Sequence, residues 1–373
     1  MQELRESLDK RLGTQLKQLN KGVARHARSY QCRCGNRIFF RNTLCLACNA
    51  QLGYLPDESR MVALDPGDNT LKYCANRGSA AICNWMIDAR DANSFCIACR
   101  LNRTIPWLGD ADNVRYWSKI EIAKRHLVSE LLGLGLPVKS KVDEDPERGF
   151  MFDLLRSPVG GPRVMTGHSS GLITINVEEA DDAKREQIKS ALHEPYRTLI
   201  GHFRHEVGHY YWDRLVWNTQ WLEPFRQLFG DERASYADAI KRNYEQGPPL
   251  DWANRYVSSY ASSHPWEDWA ETWAHYLHVV DSLGTAMGFG IDAANLQCDI
   301  EPFTRDALYA ADDPQGDRLL SLLNAWIEIV MVLNEMARSM GQPDFYPFVM
   351  SKPVVAKLHF IHMVVADART SPA

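Results

Sequence analysis

The distribution of cysteines constrains the fold of this 373-residue chain more than any other sequence feature. Eight of the nine cysteines lie between positions 32 and 99, in short segments rich in Gly, Asn and Asp. Such segments bury too little apolar area to fold without a covalent or metal clamp. The first thirty residues lack the apolar core of a signal peptide, so we expect a cytoplasmic protein with reduced thiols. Metal thiolates are therefore predicted in preference to disulfides.

The clustered cysteines divide into two sets of four. The first set joins a Cys-x-Cys pair to a Cys-x2-Cys pair, and the second set ends in another Cys-x2-Cys pair. The members are Cys32, Cys34, Cys45 and Cys48 in the first set, and Cys74, Cys83, Cys96 and Cys99 in the second. Four thiolates occupy every position of a tetrahedral ion, so two structural zinc sites are predicted. Iron–sulfur clusters are the alternative, because four thiolates also suit iron.

Charge is distributed unevenly along the chain. Residues 1–105 contain 16 Lys and Arg against 9 Asp and Glu, whereas the remaining residues contain 26 against 38, which gives +7 and −12. A basic N-terminal part could attract nucleic acid, so a ribbon that binds nucleic acid or protein is the alternative function. Scattered aromatic residues, rather than a stacking series, weaken that alternative.

A short motif in the second half is typical of metallohydrolases. His205-Glu206-x-x-His209 places two imidazoles four residues apart on one face of a helix predicted over 196–221. This spacing chelates one ion, and Glu206 can then take a proton from a metal-bound water. His202 lies seven residues before His209, too far along the helix to share the ion, and is interpreted as a supporting or packing residue.

A third metal ligand is expected on a later helix. Glu267 and Glu271 are one turn apart in segment 265–280, a predicted helix that begins at Pro265. One carboxylate can bind the metal while the other orients a ligand histidine. A solvated acidic helix face is the alternative, although neighbouring tryptophans indicate that the other side is buried: Trp266, Trp269 and Trp273.

The remaining pattern predicts helices over 113–136 and 181–192 and a mostly helical tail over 301–368. It also predicts strands over 149–155 and 171–177. The second strand leads towards the histidine motif and is interpreted as able to pair with an extended peptide.

The histidine and glutamate motifs resemble those of the gluzincins, zinc peptidases whose third ligand is a glutamate followed four positions later by an acidic residue. The resemblance implies that Glu267 is the ligand and Glu271 its support. Lethal-factor-type gluzincins carry a tyrosine seven residues before the ligand glutamate that stabilises the tetrahedral intermediate, and Tyr260 has that offset here. An aromatic core residue is the alternative interpretation of Tyr260.

Over nearly its full length the chain resembles a bacterial family of zinc-ribbon proteins with a zinc-binding metallopeptidase domain. The resemblance runs through the first cysteine set, 171–182, 205–213 and the helix of Glu267 and Glu271. It implies a ribbon followed by a metallopeptidase domain, and the fold expected is α+β. The leucine pattern near the start predicts an N-terminal helix over 1–29, and the two cysteine sets predict a double zinc ribbon over 30–106. A mainly helical, zincin-like domain with a small sheet is expected over 112–373.

The expected function is zinc-dependent hydrolysis of peptide bonds in a peptide or protein substrate. One catalytic and two structural Zn²⁺ are expected, with His205, His209 and Glu267 as the catalytic ligands. Glu206 is the expected general base, and Tyr260 an expected donor to the oxyanion. Hydrolysis of a non-peptide amide would use the same metal site. No segment has the uninterrupted apolar length of a membrane span, so no membrane partner is expected.

Overall fold

The structure is a computed structural model that describes residues 28–65, 67–191, 196–296 and 298–370. These residues form two compact units, which divide between Tyr210 and Tyr211. The N-terminal helix predicted over 1–29 lies outside the described residues except for its last two, and Ser29 begins a strand.

The first unit opens with three short antiparallel hairpins, the expected ribbon architecture. Their strands are β1 (Ser29–Gln31) with β2 (Arg37–Phe39), β3 (Leu52–Leu55) with β4 (Arg60–Ala63), and β5 (Leu71–Tyr73) with β6 (Met86–Asp88). A small aromatic cluster packs between them, with the ring of Tyr54 4.7 Å from Phe40 and 5.0 Å from Trp85. This cluster is the apolar core that the cysteine sites supplement.

A four-stranded sheet follows directly from the ribbon. Its strands are β7 (Asn102–Thr104), β8 (Met151–Leu155), β9 (Gly167–Ser169) and β10 (Leu172–Asn176), in the order β7-β8-β10-β9. β8 is parallel to β7 and to β10, and β9 is antiparallel to β10. The predicted strands over 149–155 and 171–177 are thus confirmed as β8 and β10, each slightly shorter.

The interpretation of the strand over 171–177 as a peptide-pairing edge is wrong. β10 is hydrogen-bonded on both sides, because a two-residue turn folds β9 back along it. Ser170 and Gly171 form this turn with φ of 50° and 79°, the left-handed geometry that fits the twist of a hairpin. β7 and β9 are the outer strands.

Three helices complete the first unit: α1 (Ala111–Gly133), α2 (Asp182–Ala191) and α3 (Leu199–Leu215). α1 begins where Asp110 accepts hydrogen bonds from the backbone of Asp112 and Asn113, a typical N-cap. α3 packs on the sheet, since the ring of Phe203 lies 5.4 Å from that of Phe152. The predicted helix over 196–221 ends early, and Asn218 beyond it adopts the left-handed conformation.

The last turn of α3 belongs to the second unit, which is helical. Its helices are α4 (Leu222–Phe229), α5 (Tyr236–Gln246), α6 (Pro265–Gly288), α7 (Gly316–Ser339) and α8 (Lys352–Thr370). α6 begins at Pro265 as predicted, and it packs against α7 and α8. Trp269 and Trp273 of α6 are fully buried.

Among the described residues, α7 alone has the length and apolar composition of a membrane-crossing helix, a test that core helices also pass. Leu319, Leu323 and Trp326 on this helix are buried within the protein.

Candidate functional site

The first cysteine set forms one compact group. The Sγ atoms of Cys32 and Cys48 are 3.7 Å apart, as are those of Cys34 and Cys45, and all four sulfurs lie within 4.8 Å of one another. Four sulfurs at ~2.3 Å from a tetrahedral zinc would be about 3.8 Å apart, so the group fits this ion.

The second cysteine set forms an equally compact group but is fully enclosed. The Sγ atoms of Cys83 and Cys96 are 3.7 Å apart, and all four members are buried. Burial raises the pKa of Cys96 well above its ordinary value. A buried thiolate needs a compensating cation, which a metal ion supplies.

Charged side chains of α1 lie beside this second set. The Glu121 carboxylate lies 4.0 Å from the sulfur of Cys99 and accepts a 2.7 Å hydrogen bond from Lys124. Arg125 donates to the carbonyl of Ala81, in the loop between Cys74 and Cys83. None of these α1 residues was predicted from the sequence. The sequence feature that could have indicated them is the presence of charged residues on the otherwise apolar side of the predicted helix over 113–136.

The structure brings His205 and His209 together on α3. Their Nε2 atoms are 3.2 Å apart, close to the ~3.3 Å expected for two nitrogens that bind one tetrahedral zinc at ~2.0 Å. His209 is buried and His205 is half-buried. Glu206, between them in sequence, is 9% exposed. The helix spacing thus produces the ring geometry that the motif predicts.

A further histidine lies beside this pair. His168, on β9, stacks on His209 with ring centroids 6.3 Å apart and an interplanar angle of 15°. Its Nε2 accepts a 3.0 Å hydrogen bond from the backbone of Gly171, inside the hairpin turn. Burial, reinforced by His209, lowers the pKa of His168 to about 3, so this ring is neutral at physiological pH. No local sequence pattern indicated it.

His202 is engaged away from the other two rings. Its Nδ1 pairs with the buried carboxylate of Glu179, which also accepts a hydrogen bond from the hydroxyl of Thr166. Burial alone would raise the pKa of Glu179, but the charge and hydrogen bond of His202 outweigh it and lower that pKa to about 2. The carboxylate is therefore ionised throughout the physiological range.

In the second unit, Glu267 and Glu271 occupy successive turns of α6, and each accepts a hydrogen bond from a hydroxyl group. Tyr236 donates to Oε1 of Glu267 at 2.7 Å, and Ser258 donates to Oε2 of Glu271 at 2.6 Å. Glu267 is 1% exposed. Tyr236, at the start of α5, was not predicted from the sequence, because a residue 31 positions away gives no local signal.

Tyr260 lies in a short 3₁₀ helix, Tyr260–Ser262, that precedes α6. Burial raises its pKa above the ordinary value, and the negative charge of Glu267 adds to the effect. The phenol is therefore protonated at neutral pH and able to donate a hydrogen bond.

Comparison with known proteins gives two family matches that cover most of the chain. A zinc-ribbon domain family matches residues 29–110, and a family described as "Putative zinc-binding metallo-peptidase" matches residues 113–364. The zinc-ribbon match contains both cysteine groups and agrees with metal binding there.

Mycobacterial proteins of similar length are related to the chain. The uncharacterized protein Rv2568c of Mycobacterium tuberculosis and the uncharacterized protein Mb2598c of Mycobacterium bovis are each 40% identical over 343 residues. The matched region covers 91% of this chain and 96% of each relative. No solved structure matches the chain. On these matches, the chain belongs to the zinc-binding metallopeptidase family, with a zinc-ribbon domain at its N-terminal end.

Proposed function

We propose that the protein is a zinc-dependent peptidase whose catalytic ion is held by His205, His209 and Glu267. The observation that carries this proposal is the pair of Nε2 atoms 3.2 Å apart on α3, with Glu206 in the same helical turn. Two nitrogens at that separation match a chelated zinc ion. An ion bound by three protein ligands keeps one coordination position open, which hydrolysis requires.

Ring contacts within the second unit hold the start of α6 and so support Glu267 as a rigidly placed ligand. α3 runs without interruption from Leu199 to Leu215. Just after His209, the ring of Tyr211 stacks on Trp273 of α6 at 5.0 Å, and Trp212 meets Trp266 edge-on at 6.1 Å. Trp266 directly precedes Glu267. The first turns of α6, which carry Glu267, are therefore held by ring packing on Tyr211 and Trp212.

The hydrogen bond from Tyr236 supports the same assignment. It fixes one oxygen of the buried Glu267 carboxylate, and such support around a ligand holds its orientation.

The proposed chemistry divides between the ion and the protein. When bound, zinc lowers the pKa of the attacking water and polarises the substrate carbonyl. Glu206 accepts the proton of that water and returns it to the leaving amine. Tyr260, held in its protonated form, is the proposed donor to the developing oxyanion.

Elemental analysis of His205→Ala beside the wild type tests the metal site. We expect about three zinc ions per wild-type chain and about two in the variant, because the cysteine groups keep theirs. His278→Ala, which changes another buried histidine, is the control and should retain the wild-type content. Equal zinc content in wild type and His205→Ala would refute the proposal.

The alternative, a ribbon that binds nucleic acid, receives less support from the structure. Several basic side chains of the ribbon and the sheet that follows it are ion-paired with nearby carboxylates and so are partly neutralised locally. These pairs are Arg33–Asp65, Arg60–Glu58, Arg90–Asp88, Arg100–Asp91 and Arg103–Asp153. We therefore expect the full-length protein to cause no gel shift of DNA or RNA at physiological salt.

A further inference from the structure

Helix α1 carries charged residues on its buried side. Glu121, Lys124 and Glu130 are each 0% exposed, and Arg125 is 6% exposed. Burying a charge costs free energy that an ion pair recovers only in part, so apolar residues would serve a purely structural helix better. These side chains therefore call for an explanation beyond packing.

One end of this charged side contacts the second cysteine set, through Glu121 and Arg125 as described above. Asn102 of β7 joins the same network by donating a 2.9 Å hydrogen bond to Glu121. The middle of α1 is thereby fixed to the cysteine group and to the sheet.

The other end contacts α3 immediately before the histidine motif. Nε and Nη2 of Arg204 each lie 3.0 Å from Oε2 of Glu130, and Arg204 is only 3% exposed. All of these contacts lie within the first unit. Arg204 directly precedes His205, so a fixed Arg204 side chain restricts the rotation of α3 about its own axis. That rotation decides where the imidazoles point.

We propose that Glu130 and Arg204 are positioning residues that set the rotation of α3 and thereby aim His205 and His209 at a common ion. The pair also connects the histidine motif, through α1, to the second cysteine set. The inference rests on the proposed function, because it assumes that the two histidines hold a metal. A displacement of ligands of less than 1 Å is enough to weaken a metal site.

The test measures zinc retention rather than activity. Full-length wild type, Glu130→Gln and a control are dialysed against rising concentrations of a chelator, and the zinc content is determined at each step. The ion assigned to the histidine site is the one absent from His205→Ala. For Glu130→Gln we expect this ion to be lost at a chelator concentration about tenfold lower, the scale typical of lost support around metal ligands. The cysteine-bound ions should be retained.

Lys119→Gln is the matched control. It lies on the same helix and breaks a 2.7 Å ion pair with Asp182, but both side chains are exposed. It should retain zinc like the wild type. Circular dichroism and the melting temperature of each variant show whether the fold is kept.

The double variant Glu130→Gln/Arg204→Gln separates positioning from stability. Removing both charges of a buried pair commonly restores the stability that removing one has cost. We expect the melting temperature to recover while zinc retention at the histidine site stays low. Wild-type retention in Glu130→Gln, or full recovery of retention in the double variant, would overturn the positioning role alone. A wild type that holds no ion dependent on His205 would overturn the proposed function and this role with it.

Discussion

Glu206 is proposed to act in the hydrolysis itself and not to bind the metal, so its substitution should affect cleavage but not zinc content. It lies between the two histidines in sequence and is nearly buried. We expect Glu206→Gln to retain the full zinc content and to reduce peptide cleavage by about a hundredfold or more, because the amide cannot accept the proton of the attacking water. Cleavage of a pool of synthetic peptides, followed by mass spectrometry, measures this. Cleavage at the wild-type rate would remove Glu206 from the mechanism.

The proposed role of Tyr260 predicts an effect on kcat alone. If its protonated phenol stabilises the oxyanion, Tyr260→Phe should lower kcat about tenfold to a thousandfold with little change in KM or zinc content. An equal loss from Tyr260→Phe and from Tyr244→Phe, an exposed tyrosine on α5, would instead indicate a general structural effect.

The lowered pKa of Glu179 predicts how the free energy of unfolding changes at acid pH. Its pKa of about 2 in the folded protein lies below the ordinary value, so ionised Glu179 stabilises the fold above about pH 4.5. This contribution is lost as the pH falls towards 2. The difference in the free energy of unfolding between wild type and Glu179→Gln should therefore be largest at neutral pH and shrink between pH 4.5 and 2. Glu186→Gln, at an exposed position on α2, is the control. A difference independent of pH would contradict the assignment.

At the scale of elements, the two cysteine groups differ in how deeply the fold depends on them. Cys34 of the first set is exposed, whereas Cys83 of the second is buried beside a network from α1 and β7. We expect Cys83→Ser to lower the melting temperature substantially more than Cys34→Ser, because it disturbs the junction between ribbon and sheet. Thermal unfolding followed by circular dichroism compares them. An equal decrease in melting temperature for the two variants would mean that the α1 network adds nothing to the stability of the second cysteine group.

Several helices and strands could be predicted from local sequence patterns alone. The helix at Pro265 and the strands at 149–155 and 171–177 were predicted because capping and alternation are local properties. The hairpin that covers β10 was missed, although Ser170-Gly171 before an alternating segment is a recognised turn signal. Reading that turn would have revealed β9 as the outer strand.

For the whole molecule, the family, the order of ribbon and helical regions, and both cysteine groups could be predicted from the sequence. This is because the ligands of one metal motif lie close together along the chain. Sequence reasoning could not find Tyr236, His168 or the Glu130–Arg204 pair, whose partners lie 31 to 74 positions away in the chain. Contacts at such separations depend on tertiary packing. The predicted domain limits and the complete catalytic ligand set remain predictions.

The unequal burial of the two cysteine groups bears on how the protein would respond to metal scarcity. Cys34 and Cys48 face solvent, so a competing chelator can approach the first group and exchange its ion by stepwise ligand replacement. The enclosed second group offers no such approach without local unfolding. Of the two cysteine-bound ions, the first group's would accordingly be lost before the second group's, and the protein that retains only the second would still have an intact junction at α1.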